Sequence, residues 1–185
     1  MASRTPTDYF EAALDLLAES GPPGVTIDGL CRLLGVTKGS FYHHFAGIPD
    51  FMGRLLAYWE QRGSDREALA VTNPSDVFAL AKLTATWELH HRAESAIRAL
   101  ARNDPLAAQV QRRVDESREY LLATTFAYVG IPQARATVLA RMGIAILIGT
   151  QQREHPVDRR RLQDVFDEYQ RWLEHSIVGE PAGRN

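Results

Sequence analysis

Apolar residues recur at helical spacing from the first turns of the chain. Phe10, Ala13, Leu14 and Leu17 stand at i, i+3, i+4 and i+7, which places them on one face of a helix. Before them, Thr5-Pro6-Thr7-Asp8 reads as a helix start: a hydroxyl to cap, a proline at the first helical position and an acid to meet the dipole. Gly21-Pro22-Pro23-Gly24 predicts the stop. A second stripe, Ile27, Leu30, Cys31 and Leu34, follows Thr26 as N-cap and ends at Gly35, which can adopt the left-handed conformation of a helix end. After only Gly35-Val36, Thr37 can cap a third helix running through Ser40 to Phe45, with Phe41 and Phe45 on one face. Two helices joined by so short a turn cross steeply instead of lying antiparallel, which is the helix-turn-helix arrangement.

Gly47 and Pro49 punctuate the chain before a fourth helix, Asp50 to Gln61, carrying Phe51, Met52, Leu55, Tyr58 and Trp59. Beyond Thr72-Asn73-Pro74-Ser75 the pattern stays helical, with elements expected over Ser75–His90, Arg92–Arg102, Pro105–Val129, Pro132–Gln151 and Asp158–Val178. Breaks fall at Asn103-Asp104-Pro105, Gly130-Ile131-Pro132 and His155-Pro156. The fold class expected is therefore all-α: a three-helix domain over 1–48 and a helical domain over 49–185 whose first part, 49–66, links the two. Val138 to Ile148 is apolar on nearly all sides, with small residues at Ala136, Ala140 and Gly143, and the last helix carries a heptad-like stripe from Leu162 to Ile177. A chain of 185 residues has limited interior to hide both. A two-fold, four-helix homodimer interface is expected there, built from Ala140, Gly143, Leu147, Phe166, Tyr169, Trp172 and Leu173.

Composition narrows the function. With 45% hydrophobic and 24% charged residues the balance is globular, neither disordered nor fibrous. The longest apolar run, Ile144 to Ile148, is too short to cross a bilayer, and Met1-Ala2-Ser3-Arg4 leads into polar residues without a signal-peptide core. A cytoplasmic protein without a membrane partner is expected. The single cysteine, Cys31, excludes an internal disulfide and a multi-cysteine metal site, and its apolar stripe marks it as a core residue. A net charge of −2 argues against coating nucleic acid by bulk electrostatics. In the first domain Asp8, Glu11, Asp15, Glu19 and Asp28 match or outnumber Arg4, Arg32 and Lys38, so DNA binding requires the two signs on opposite faces.

Catalysis has no foothold in the sequence: there is no Gly-rich phosphate loop after a strand and no Gly-x-Ser-x-Gly elbow, so neither enzyme activity nor a cofactor is expected. Adjacent His43 and His44 point about 100° apart on a helix and cannot share a metal ion. His90 and His91 lie three or four residues from Glu88 and Glu94, a possible pairing, but without a cysteine partner or a His-Glu-x-x-His motif no metal is expected.

Taken together, Tyr9-Phe10-Glu11-Ala12-Ala13-Leu14, Gly24-Val25-Thr26-Ile27-Asp28-Gly29-Leu30 and Leu34-Gly35-Val36-Thr37-Lys38-Gly39-Ser40-Phe41-Tyr42-His43-His44-Phe45 resemble the DNA-binding domain of TetR-family regulators, the tetracycline-repressor-like proteins. This string is far more specific than a generic helix-turn-helix pattern. The resemblance implies nine or ten helices, with an N-terminal head that reads operator double-stranded DNA and a divergent C-terminal domain for effector binding and dimerisation. It implies a repressor released by a small molecule. The DNA-facing set expected is Thr26, Thr37, Lys38, Gly39, Ser40, Tyr42, His43 and His44. Thr26 can offer a hydroxyl and a helix N-terminus to phosphate, Lys38 can reach phosphate or guanine N7/O6, and Gly39 allows close backbone approach. By resemblance, Tyr42 and His44 look like phosphate contacts, and Ser40 and His43 like groove contacts. The family layout places Trp59, Trp87, His90, His91, Tyr120 and Phe126, with Tyr128, around an effector cavity, although each alone also suits a core.

Two departures stand out from the resemblance. Ile48-Pro49 replaces a common lysine and acid, so that backbone N–H groups at the start of the fourth helix are expected to stand in for the lysine. Gly29 replaces a more usual alanine, at up to about 1 kcal/mol of helix propensity. The alternative reading is a small-molecule-binding helical protein with weak or vestigial DNA binding, distinguished by salt-dependent operator affinity.

Overall fold

Helix α1 (Pro6–Ser20) starts where its cap predicts, and the cap is more complete than expected. Thr5 Oγ1 accepts from the Asp8 amide while the Asp8 carboxylate accepts from the Thr5 amide at 2.6 Å, a reciprocal capping box. The backbone bond from Thr5, followed by its hydroxyl bond, holds the Asp8 carboxyl below its ordinary range. A 3₁₀ turn at Pro22–Gly24 carries the chain into α2 (Ile27–Leu34), which ends at Gly35 in the left-handed region with φ 66°. Then come α3 (Lys38–His44), α4 (Ile48–Ala70), α5 (Glu88–Ala101), α6 (Pro105–Tyr128), α7 (Gln133–Arg153) and α8 (Arg159–Val178). This computed structural model describes residues 4–70, 88–154 and 157–178, and no strand occurs among them. The architecture is all-α.

Two boundaries differ from the sequence expectation. Helix α4 begins at Ile48 and continues through Gly63 and Ser64 to Ala70, well past Gln61. One interior glycine costs about 1 kcal/mol of helix propensity, a penalty that tertiary packing of the helix readily offsets. The expected break after His90 does not occur, because Glu88 to Ala101 contains neither glycine nor proline and runs as one helix. Residues 75–87 of the expected preceding helix lie outside the described residues.

Residues 1–65 and 89–114 form one compact unit. Its core starts as an aromatic cluster of Tyr9, Phe10, Phe41, Phe45 and Phe51 and continues through Leu55, Leu56 and Trp59 to Ala93, Ile97, Val110 and Val114. This unit therefore extends beyond the 1–48 boundary expected from sequence, because the apolar face of α4 is buried by α5 and the start of α6. Polar ties reinforce it. The Glu11 carboxylate accepts from the Tyr58 hydroxyl and from Arg62 Nη1 at 2.5 and 2.6 Å, joining α1 to α4. Arg113 donates twice to Glu60, at 2.5 and 2.7 Å, and the hydrogen bond from Arg113 holds the Glu60 carboxyl below its usual range. Glu94, read as a possible partner for His90 or His91, is buried and pairs with Arg98 at 2.7 Å.

Residues 66–88 and 115–185 form the second unit. Leu122, Ala123 and Phe126 pack with Ala136, Leu139, Ala140, Ile144 and Leu173, and a second cluster joins Leu147 to Val157, Leu162 and Phe166. Tyr169 donates to the Leu139 carbonyl, and burial pushes its hydroxyl up to about 12. Gly143 lies against the same ring, where an added Cβ would stand 3.4 Å from Tyr169 Cε1. This corrects the expected dimer surface. Ala140, Gly143, Leu147, Phe166 and Leu173 are buried within the protomer, and Tyr169 is partly buried, so that of the seven residues only Trp172 is largely exposed. Among the described residues, the large apolar side chains these two helices leave exposed are Val138, Met142, Val165 and Trp172, each 40% to 55% accessible. No helix among the described residues is long and apolar enough to cross a membrane.

Candidate nucleic-acid interface

A seven-residue helix is too short to persist alone, so α3 depends on what it buries. Phe41 and Phe45 supply the anchor. Tyr9 meets both edge-on, with centroids 5.9 and 5.5 Å away, and Phe51 closes on Phe45 at 4.9 Å. From α4, Arg54 donates Nη1 to the His44 carbonyl at 2.8 Å and lays its guanidinium over the Phe45 ring at 4.8 Å. One cation thereby satisfies the C-terminal end of α3 and braces its anchor.

With that side fixed, Thr37, Lys38, Gly39, Tyr42 and His43 are exposed. The remaining members of the expected set are partly committed inside the protein. The Tyr9 hydroxyl donates to Ser40 Oγ at 2.8 Å, and His44 Nε2 donates to the Arg4 carbonyl at 2.9 Å. Arg4 in turn donates Nη2 to the Leu34 carbonyl at 3.2 Å, so a base counted toward DNA fastens the start of the chain to the end of α2. Thr37 occupies the N-cap position of α3 but makes no capping bond, whereas Thr26 Oγ1 accepts from the Gly29 amide at 3.0 Å. That turn also explains Gly29: an added Cβ would lie 3.1 Å from both the Gly24 carbonyl oxygen and Thr26 Oγ1.

The acidic tally largely resolves by placement. Asp8 is in the α1 cap and Glu11 is held by Tyr58 and Arg62. Burial, followed by Glu11 and Glu19, pushes the Asp15 carboxyl up. Asp28 is the exception: its Oδ1 lies 2.7 Å from Lys38 Nζ, with the two side chains 63% and 61% exposed. A second acid corrects the expectation for Ile48. The Asp50 carboxylate sits in the first turn of α4 and accepts from the Ala46 amide at 3.0 Å, putting negative charge where backbone N–H groups were to receive phosphate.

Of the expected effector residues, Trp59 and Phe126 are buried, while Tyr120 is 75% exposed. Trp87 lies outside the described residues, as do the side chains of His90 and His91. Among the described residues, no group of three or more His, Cys, Asp or Glu side chains could hold a metal ion. Tyr9, Arg54 and the Asp28–Lys38 pair were not singled out from sequence. Tyr9 sits inside the matching string but one position off the apolar stripe, and Arg54 stands ten residues past the end of α3 with no motif to mark it.

Residues 10–52 match the family described as bacterial regulatory proteins, tetR family. Over 56 residues the chain is 36% identical to the uncharacterized HTH-type transcriptional regulator TtgW of Pseudomonas putida. That stretch is 30% of this chain and 42% of TtgW, so the chain spans less than half of that relative's length. Among solved structures, a transcriptional regulator from Rhodococcus sp. Rha1 superposes with a TM-score of 0.70 at 19% identity, covering 90% of this chain and 94% of that one. The multidrug binding protein EbrR, complexed with malachite green, gives 0.61 at 19% identity over 90% and 98%. Residues 10–52 are thus similar in sequence to the tetR family of bacterial regulatory proteins, and the chain as a whole is similar in fold to solved transcriptional regulators.

Proposed function

We propose that this chain is a cytoplasmic transcription repressor that binds operator double-stranded DNA as a homodimer and is released when a small molecule occupies its helical C-terminal part. The observation that carries the reading is the two-sidedness of α3, with Phe41 and Phe45 buried and Lys38, Gly39, Tyr42 and His43 presented to solvent. Lys38 suits guanine N7/O6 or phosphate. Tyr42 and His44 suit phosphate, and His43 suits a base edge. Ser40, which accepts from Tyr9, keeps its own proton to donate into the groove. Thr26 and Thr37 flank the site at two helix starts.

The test uses duplexes selected from a random pool, titrated across salt. Lys38→Ala is expected to weaken binding by about 1–3 kcal/mol, relaxing preference at one base pair if Lys38 reads guanine, or uniformly if it touches phosphate. Tyr42→Phe should cost less and leave preference unchanged. Titrations in which Lys38→Ala matches the wild type on every sequence remove Lys38 from the interface. The second reading, a small-molecule-binding protein with a vestigial head, draws on Asp28 at Lys38 and Asp50 at Ile48, and salt-insensitive association with DNA would favour it.

Release by an effector draws support from the likeness to EbrR, whose solved complex holds malachite green. In a thermal-shift screen of hydrophobic and amphipathic compounds, a true effector is expected to lower operator affinity at least tenfold at saturation. That tenfold equals about 1.4 kcal/mol of coupling, and operator DNA must weaken the effector by the same factor. A tight ligand that leaves DNA affinity unchanged defeats the induction mechanism alone. For the dimer, the seam proposed is the exposed set Val138 and Met142 on α7 with Val165 and Trp172 on α8, spaced four and seven residues apart so that each pair shares a helix face.

A further inference from the structure

We propose that Asp28 competes with DNA for Lys38 and so holds the affinity of the reading head below what its cations would otherwise give. The inference rests on the DNA-binding reading above. Asp28 is the second residue of α2 and Lys38 the first of α3, so the pair bridges the turn of the helix-turn-helix on its solvent side. Oδ1 and Nζ are 2.7 Å apart with both side chains more than 60% exposed. The hydrogen bond that Lys38 donates to Asp28, then the charge of Asp28, raises the Lys38 ammonium above its ordinary range.

An exposed ion pair of this kind is screened by water and salt, so it adds little to the fold and opens easily. Opening it onto DNA has a different cost. Charge that Lys38 turns toward phosphate or a guanine edge is withdrawn from its carboxylate, which then remains beside the phosphates as a poorly compensated like charge. Two acids of α1 are engaged elsewhere: Asp8 is fixed in a helix cap and Glu11 is bound to Tyr58 and Arg62. Wild-type protein therefore binds as though one positive charge were missing, and its salt dependence is shallower by about one ion.

The experiment titrates full-length protein with a fluorescein-labelled, random-sequence duplex of about 30 base pairs and with a selected operator, between about 50 and 200 mM salt. Asp28→Asn is expected to bind both about two- to tenfold more tightly near the middle of that range, with the log–log slope steeper by about one. Asp28→Glu should behave as wild type, and the gain should largely vanish when Lys38→Ala is combined with Asp28→Asn. Both positions are exposed, and an unchanged melting temperature checks that each variant folds. If wild type binds with ordinary salt dependence and Asp28→Asn binds no more tightly, Asp28 is a structural tie and the proposal is overturned while the DNA reading stands. An equal gain in the Lys38→Ala background also overturns it, since Asp28 would then act through net charge alone. Absence of salt-dependent binding by every variant overturns the DNA reading and this proposal together.

Discussion

Phe41→Ala is expected to destabilise the protein by about 3–5 kcal/mol and to abolish DNA recognition. The ring is fully buried, with Tyr9, Phe45 and Phe51 all within 6 Å of its centroid. Removing it forfeits the transfer energy of an aromatic side chain and leaves a cavity that the neighbouring elements cannot close together. For a chain of this size such a loss corresponds to a fall of about 6–20 °C in melting temperature. Recognition should fail sooner than the fold does, because α3 has only seven residues and its register relative to α2 is set by this anchor. The measurement is a melting curve beside an operator titration, with Leu33→Ala as control, since Leu33 on α2 is 53% exposed and outside the proposed DNA-facing set. A Phe41→Ala protein that melts within about 2 °C of wild type and still binds its operator would falsify the account of how α3 is held.

The same residues show what was legible in the sequence. Caps and periodicity act over three to seven residues, and they placed α1, α2 and α3 to within a residue or two at each end, with Phe10, Leu14, Leu17, Leu30, Phe41 and Phe45 all in the core. What lay between elements was not visible. Asp28 and Lys38 are ten residues apart on different helices, and Tyr9 and Ser40 are thirty-one apart. No local spacing rule links such positions; only the crossing of the helices does. The extent of α4 was missed because Gly63 and Ser64 look like punctuation, yet a helix held by tertiary packing tolerates glycines in its interior, here Gly53 as well as Gly63. Which faces of the last two long helices are covered within the protomer was hidden for a related reason. Helix α7 is apolar nearly all round, so its sequence announces burial without saying which face meets α8 of the same chain. Small residues at Ala140 and Gly143 do mark a close helix approach, but the helix approached is the protomer's own α8, with Tyr169 against Gly143.

That distinction fixes the substitution that tests assembly. Leu173 is 1% exposed in the protomer, so charging it would disrupt the single chain and report nothing about a partner. Met142→Glu with Trp172→Glu avoids the difficulty, because Met142 and Trp172 are 40% and 44% exposed before any second copy arrives. If they form the two-fold seam, each substitution appears twice, placing four carboxylates in an apolar contact at a cost of several kcal/mol. The expected result is a folded monomer in sedimentation velocity at micromolar concentration, with a helical circular-dichroism spectrum like that of wild type. Operator affinity should fall by about 10²–10⁴, the advantage a second, linked reading head provides. Two heads bind one operator only when the assembly holds them about 34–36 Å apart or a multiple of it, so a monomer loses both the second contact and the spacing that selects the site. Binding to a single half-site should survive. A double variant that still sediments as the wild-type dimer moves the seam away from α7 and α8, and a wild-type protein that is monomeric at micromolar concentration removes the dimer from the mechanism.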